Sequence, residues 1–236
     1  MKKFKKLIPA FCLLLVSAVL MGTSTFAWFS MNKNVTATGM SVTAKSDSVW
    51  LQIKNADGAS VDANKTQANG KIATANIYPA KWNGTAAEEK WQTASSDDPA
   101  SATANAAGYV DVSVGDVGDY RLLNTFTISI KENTAPEAKN LKVKTCKVTG
   151  TSVFLNAVSV VVVCGDKIQT ISANGKTSGT SFDVADAVVL AETVTTADTT
   201  VSVYVYIDGD NTNVYTNNMT AANVTGISVE LVFGVD

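Results

Sequence analysis

The sequence predicts an all-β protein: a jelly-roll-like sandwich of two sheets, with short helices in the connections. Two observations lead to this prediction. The chain is rich in Val and Thr, which favour strands, and in Ser and Asn, which favour turns. In addition, about eight to ten short segments alternate apolar with polar residues and are separated by turn signals. No repeat and no second domain boundary interrupt this pattern, so we expect one domain over residues 39–236.

The first 27 residues have the features of a cleaved leader. Four lysines in residues 1–6 precede an apolar run over residues 7–21, and small residues then lead to Ala27. This order is typical of a secretory signal peptide, so we expect signal peptidase to cut between Ala27 and Trp28 during export. A retained membrane anchor is the alternative, but the run is short for a span. We therefore expect a secreted protein, extracellular or associated with the cell surface, with no membrane segment after cleavage.

The charge and composition of the mature chain exclude several function classes. The leader takes four of the 19 basic residues and none of the 21 acidic ones, which leaves 15 basic against 21 acidic. This acidic balance argues against a nucleic-acid partner, because phosphate binding requires a basic surface. The chain contains no histidine, so Ser-His-Asp and Cys-His catalysis and histidine-ligated zinc are excluded. We expect no enzyme activity, no catalytic residue and no cofactor.

The mature chain begins with two strand-like segments of different phase. Alternation predicts a first strand over residues 28–37, beginning at Trp28, and a second over residues 40–45. The apolar face of the first strand consists of Phe29, Met31, Val35 and Ala37, interrupted by Lys33. After Gly39 the pattern slips by one residue, which swaps the faces, so we place a hinge at residues 38–39. The first strand pairs either with the edge of its own domain or with the sheet of another subunit.

Regular alternation then predicts the strands of the domain. They fall near residues 49–53, 109–114, 126–130, 141–148, 153–164, 168–171, 201–207 and 227–233. The run over residues 158–164 is apolar on both faces, which predicts a central strand covered on both sides.

Three segments do not follow strand periodicity clearly. Residues 86–94 are predicted to form a short surface helix, and residues 182–190 fit either a helix or a strand. Residues 95–108 are rich in Ala, Ser, Asp and Asn and read as a long exposed loop.

One acidic turn has the residue types of a calcium site. Asp208, Asp210 and Asn213 could supply oxygen ligands, but the downstream glutamate and the glycine of a full calcium loop are not in register. The same residues are favoured in polar β-turns for backbone reasons, and we favour that interpretation.

Cys146 and Cys164 remain after the leader is removed, and export would permit a disulfide between them. If residues 141–148 and 157–164 form a hairpin, Cys146 lies too far from Cys164 to be bridged. A turn centred on Leu155 would restore the pairing, so both alternatives stay open.

Three stretches of the chain resemble one known family. They are the leader ending STFAWFS, the mature start WFSMNKNVTATGMSVTA and the closing pattern VSVYVYIDGDNTNVYTNN with GISVELVF. They resemble the TasA/camelysin family of exported Gram-positive proteins. The resemblance covers about the first 45 and the last 40 residues, and the middle of the chain carries only a compatible β pattern.

The resemblance implies a function. Members of the family are jelly-roll-like subunits of extracellular matrix fibres, in which the mature N-terminal segment completes the sheet of the next subunit. Carried over, Trp28, Phe29, Met31, Val35 and Ala37 would form the donor strand and Gly39 the hinge. The partner would be another copy of the chain, joined head to tail so that a fibre propagates.

Two other functions compete with this one. A monomeric surface binding module or adhesin would use an aromatic platform near Trp82 and Trp91, although packing explains those residues better because they show no spacing on a common strand face. The camelysin name implies a secreted metalloendopeptidase, which the absence of histidine makes hard to support.

Overall fold

The computed structural model describes residues 40–47, 51–55, 66–73, 77–94, 109–132, 137–152, 154–211, 214 and 226–236. All of them belong to the unit Ala37–Asp236. The predicted signal peptide, the predicted donor strand, Gly39, Asn213 and the predicted loop over residues 95–108 lie outside the described residues, so they remain predictions.

The described chain is built from strands. They are β1 (Ser41–Ser46), β2 (Leu51–Asn55), β3 (Gln67–Asn69), β4 (Lys81–Trp82), β5 (Trp91–Ala94), β6 (Tyr109–Asp111), β7 (Leu122–Ile130), β8 (Ala138–Gly150), β9 (Val158–Cys164), β10 (Lys167–Ser172), β11 (Ser181–Asp183), β12 (Ala191–Val194), β13 (Thr199–Ile207) and β14 (Ile227–Gly234). Two 3-10 turns, Val117–Asp119 and Leu155–Ala157, are the helical elements in the described ranges, which hold no α-helix. The all-β prediction is therefore confirmed. No helix in this part of the chain is long and apolar enough to cross a membrane.

Two sheets form a sandwich. In the first sheet the strands run in the order β11-β8-β14-β1-β3, with β12 also beside β8, and in the second the order is β10-β9-β13-β7-β2. Their inner faces share one hydrophobic core, because apolar side chains alternate inward along each strand. Fully buried members from the two sheets include Val42, Leu141, Leu231, Phe233, Ile53, Phe126, Val160 and Val203.

A third, small sheet covers the outer face of the second sheet. It has the order β4-β5-β6, and Trp91 on β5 packs with Val161 and Tyr206 in a second apolar cluster. Strand β9 lies between β10 and β13, with Val160 and Val162 in the main core and Val161 in the second cluster. The predicted central strand, covered on both faces, is thus confirmed.

The predicted helix over residues 86–94 is wrong. Trp91–Ala94 is strand β5, and the residues before it close a hairpin with β4 through an Asn83 N–H bond to the Lys90 carbonyl at 3.0 Å. The high helix propensity of the alanines and glutamates is overridden because burying Trp91 requires a strand on the second sheet. For residues 182–190 the strand alternative holds only at the start, where Ser181–Asp183 pairs with β8.

The hairpin considered between residues 141–148 and 157–164 is not formed. Strand β8 belongs to the first sheet and β9 to the second, because the chain crosses between the sheets through the turn at Leu155–Ala157. Cys146 and Cys164 are both buried and carry free thiols, so the disulfide considered from the sequence is not formed.

Candidate functional site

The predicted donor segment is followed directly by a strand in the interior of the first sheet. Strand β1 runs parallel to β14, from Ser41 opposite Ser228 to Ser46 opposite Phe233. On its other edge β1 pairs with the antiparallel β3. The first strand of the domain therefore has neighbours on both edges and lies beside the last strand.

The predicted second strand buries the face that its alternation assigned to the core, whereas the change of phase at Gly39 remains a prediction. Met40, Val42 and Ala44 are fully buried, whereas Ser41, Thr43 and Lys45 face outward and are partly exposed. A strand whose alternate residues enter the core has a fixed register, because a slip by one residue would expose all of them.

Polar side chains join β1 to its neighbours on the outer face. The Thr43 hydroxyl donates to Asn69 Oδ1 at 3.1 Å, and Lys45 Nζ lies 2.6 Å from Glu230 Oε2. Such cross-strand pairs each add a fraction of a kcal/mol to sheet stability. The main contribution comes from the backbone ladders and the buried face.

Residues 70–73, which we call the strap, extend the pairing beyond β3. The Gly70 N–H donates to the Val42 carbonyl at 2.8 Å, and the Ala73 N–H donates to the Met40 carbonyl at 2.9 Å. The strap therefore covers the edge of β1 up to the residue at which the described chain begins.

A buried asparagine in the opposite sheet holds the strap. Asn124 lies on β7 and is fully buried, and its side-chain oxygen accepts a hydrogen bond from the Lys71 N–H. Its side-chain nitrogen donates to the Lys71 carbonyl at 3.3 Å. Gly70 packs so closely on Asn124 that an added Cβ would overlap the amide, which explains a glycine there.

Sequence reasoning missed Asn124, although the sequence carries a signal. Leu122, Phe126, Ile128 and Ile130 form the buried face of β7, and Asn124 is the one polar residue in that phase. A polar residue at a core position requires hydrogen-bond partners, because burial without them is costly.

The acidic turn after β13 has internal partners for both described carboxylates. Asp208 Oδ1 accepts a hydrogen bond from the Asp210 N–H at 3.0 Å, and Asp210 Oδ2 lies 2.9 Å from Lys81 Nζ. The Gly209 N–H bonds to the Ala80 carbonyl at 3.0 Å and attaches the turn to β4. This arrangement is that of a polar turn. No group of three or more His, Cys, Asp or Glu residues placed to hold a metal occurs among the residues described.

The tryptophans considered as a carbohydrate platform are packed against each other. Trp91 is only 1% exposed, and its ring meets Trp82 and Tyr206 edge to face at centroid distances of 5.0 and 4.9 Å. Its indole N–H donates to Glu89 Oε1 at 2.7 Å. Stacking on a sugar requires an open ring face, so Trp91 cannot supply one and the packing interpretation holds.

An ion pair closes the rim of this aromatic cluster. Arg121 Nε lies 2.7 Å from Glu89 Oε1, and the Arg121 guanidinium lies 5.8 Å from the centroid of the Tyr204 ring. Burial, followed by the nearby Glu89 charge, raises the pKa of Tyr204. Burial, with a smaller effect of Asp208, raises the pKa of Tyr206 to about 12. Both phenols are therefore neutral at physiological pH.

Comparison of the chain with protein-family models, with curated proteins and with solved structures gives no match.

Proposed function

We propose that this protein is a structural subunit of extracellular fibres or biofilm matrix, which assembles head to tail by N-terminal strand donation. In this proposal signal peptidase removes the leader after Ala27 during export. Residues 28–37 then join the sheet of the next copy, while residues 39–236 form a jelly-roll-like domain. The resemblance of both chain ends to the TasA/camelysin family supports the proposal.

The position of β1 is the observation that carries the proposal. Three residues, 38–40, separate the segment offered for donation from Ser41, and β1 is bonded to β14 on one edge and to β3 on the other. A donated segment would thus be joined to a strand locked in the core. Tension along a fibre would pass from the donor strand into the backbone hydrogen bonds between β1 and β14, the first and last strands of the domain.

The chemistry of the segment fits strand addition. Backbone hydrogen bonds supply affinity at a sheet edge, and alternate side chains supply specificity. Phe29, Met31, Val35 and Ala37 would fill the acceptor groove, and Gly39 would let the chain change direction. The two interacting surfaces differ, so the contact is heterologous and propagates into a fibre.

No observation favours the competing functions. The hypothesis of a monomeric binding module or adhesin lacks its aromatic platform, because Trp91 is buried under the small third sheet. The metalloendopeptidase hypothesis still lacks histidine ligands, since the chain contains none.

Electron microscopy of the purified mature chain tests the proposal. The chain from residue 28 is expected to form fibres at high concentration, and the chain lacking residues 28–37 is expected to stay a folded monomer. A matched pair of substitutions places the same positive charge on opposite faces of the donor strand. Val35→Lys should block assembly because its side chain enters the groove, whereas Asn34→Lys should not. Normal fibres from the deletion variant would contradict the proposal.

A further inference from the structure

The described part of the chain contains three asparagines that are each followed by glycine: Asn69, Asn83 and Asn174. In this dipeptide the glycine nitrogen can attack the asparagine side chain, because glycine has no Cβ to hinder the approach. We propose that Asn174 is a site of spontaneous deamidation in this protein, and that the fold protects Asn69 and Asn83. This inference does not depend on fibre assembly.

The reaction needs only water. The backbone nitrogen of Gly175 loses its proton to base and forms a bond to Cγ of Asn174. The Cγ–Nδ2 bond then breaks, ammonia leaves and a five-membered succinimide remains. Water opens either of the two ring C–N bonds, which gives aspartate or isoaspartate. Nothing is oxidised or reduced.

Asn174 and Gly175 have the conformational freedom that ring closure requires. They form the tip of the turn between β10 and β11, which is closed by a bond from the Lys176 N–H to the Ala173 carbonyl at 3.0 Å. Both residues are exposed, and Gly175 has a φ of +72° with no other atom within 4 Å of an added Cβ. Within the described structure, neither the Asn174 side-chain amide nor the Gly175 N–H has a hydrogen-bond partner.

Asn69 is protected because its side chain and the attacking N–H are both held in place by hydrogen bonds. Its Oδ1 accepts hydrogen bonds from the Thr43 hydroxyl at 3.1 Å and from Gln67 Nε2 at 3.3 Å. The nucleophile is also held, since the Gly70 N–H donates to the Val42 carbonyl at 2.8 Å. The ring can close only after β3 and the strap open away from β1.

Asn83 is exposed, but the glycine that follows it is closely surrounded. An added Cβ at Gly84 would lie 2.6 Å from the Glu88 carbonyl oxygen and 2.7 Å from the Trp82 ring. The Asn83 N–H is held by the Lys90 carbonyl at 3.0 Å. Succinimide formation needs the backbone of both residues to rotate, and the β4–β5 hairpin resists that rotation.

Deamidation would change the charge of the β10–β11 connection. The new carboxylate would stand two residues before Lys176, whose Nζ lies 5.2 Å from the centroid of the Phe182 ring at the start of β11. An isoaspartate would also add one atom to the backbone of the turn. Protein that persists outside the cell would therefore accumulate a more acidic form.

Peptide mapping by mass spectrometry tests the inference. The mature chain is incubated at mildly alkaline pH, and the replacement of amide nitrogen by oxygen is followed at all three asparagines. We expect Asn174 to convert at least about tenfold faster than Asn69, because Asn69 must first lose its hydrogen bonds, with Asn83 between them. The Asn174 rate should rise with pH, since the nucleophile must be deprotonated.

Two controls separate the effect of the fold from that of the sequence. In denaturant the three sites should convert at similar rates, and Asn174→Gln should remove the rapidly formed acidic species without changing the unfolding midpoint. Conversion of Asn69 or Asn83 as fast as Asn174 in the folded chain would overturn the inference. So would persistence of the acidic species in Asn174→Gln.

Discussion

The side-chain amide of Asn124 bonds to both backbone groups of Lys71, accepting from its N–H and donating to its carbonyl. Asn124 belongs to the second sheet, whereas the strap that contains Lys71 lies along β1 of the first sheet. One buried side-chain amide thus pairs with the strap as the backbone of a neighbouring strand would. It connects the two sheets near the start of the domain.

Removing this amide should loosen the start of the domain. Asn124→Ala leaves the backbone groups of Lys71 without these partners, so we expect a loss of about 1–3 kcal/mol of unfolding free energy. Urea unfolding measures the change. Asn174→Ala is the matched control at an exposed turn, where a change within about 0.5 kcal/mol is expected. Equal effects of the two substitutions would show that Asn124 does not hold the strap.

Glu89 should hold the third sheet through two different interactions. Glu89→Gln keeps an acceptor for the Trp91 indole but loses the charge facing Arg121, whereas Glu89→Ala loses both. We expect Glu89→Ala to cost about 1–2 kcal/mol and Glu89→Gln to cost less.

Tryptophan fluorescence during unfolding reports on this region, because Trp91 lies in the cluster. Glu88→Ala, which removes only the exposed pair between Glu88 and Lys90, is the control and should change stability by less than about 0.5 kcal/mol. A Glu89→Ala protein as stable as this control would contradict the role assigned to Glu89.

Stability should fall at alkaline pH because of the buried thiols. Burial, with a smaller contribution from Glu230, raises the pKa of Cys146 from 9.0 to about 12. Above pH 9 the unfolded chain loses this proton while the folded chain keeps it. Stability is therefore complete below pH 9 and declines as the pH rises towards 12, by about 1.4 kcal/mol per pH unit for one such group.

Unfolding is best measured between pH 9 and pH 10, where the cysteines of an unfolded chain titrate ahead of tyrosine, whose pKa is near 10. Cys146→Ala should reduce the slope of stability against pH, while Cys164, Tyr204 and Tyr206, whose pKa values burial also raises, contribute to the remaining slope. An unchanged slope in Cys146→Ala would refute the assignment to this thiol.

Calcium should leave the thermal unfolding midpoint unchanged. Asp208 and Asp210 already bond to the Asp210 N–H and to Lys81, so an ion would have to displace existing partners. Thermal scans with added calcium and with chelator measure this directly. A calcium-dependent rise in the midpoint that disappears in Asp210→Asn would show that the turn is a cation site.

Periodicity predicted the strands whose alternate residues enter the core, as in β1, β7, β13 and β14. The doubly apolar run of β9 correctly predicted a strand covered on both faces. Patterns of this kind are strong because one phase of the strand is buried along its whole length.

The predictions from sequence failed where tertiary contacts outweigh the local preference for a helix, strand or turn. Strands β3, β4 and β12 have two to four residues each, too few to show a period. Strand β5 contains Trp91, which is buried beneath the small third sheet. No local sequence pattern indicates this burial. Cys146 and Cys164 remain free because β8 and β9 belong to different sheets. Which distant segments pair cannot be predicted from the sequence of either segment alone.

The central claim is that residues 28–37 leave their own domain and bind another copy. The most direct test measures, by calorimetry or fluorescence anisotropy, the binding of a peptide of residues 28–38 to a chain that begins at residue 39. A peptide with Val35→Lys serves as the control for the apolar face. Saturable binding of the native peptide, lost in the control, is the predicted result. A folded domain that binds neither peptide would contradict strand donation as the means of assembly.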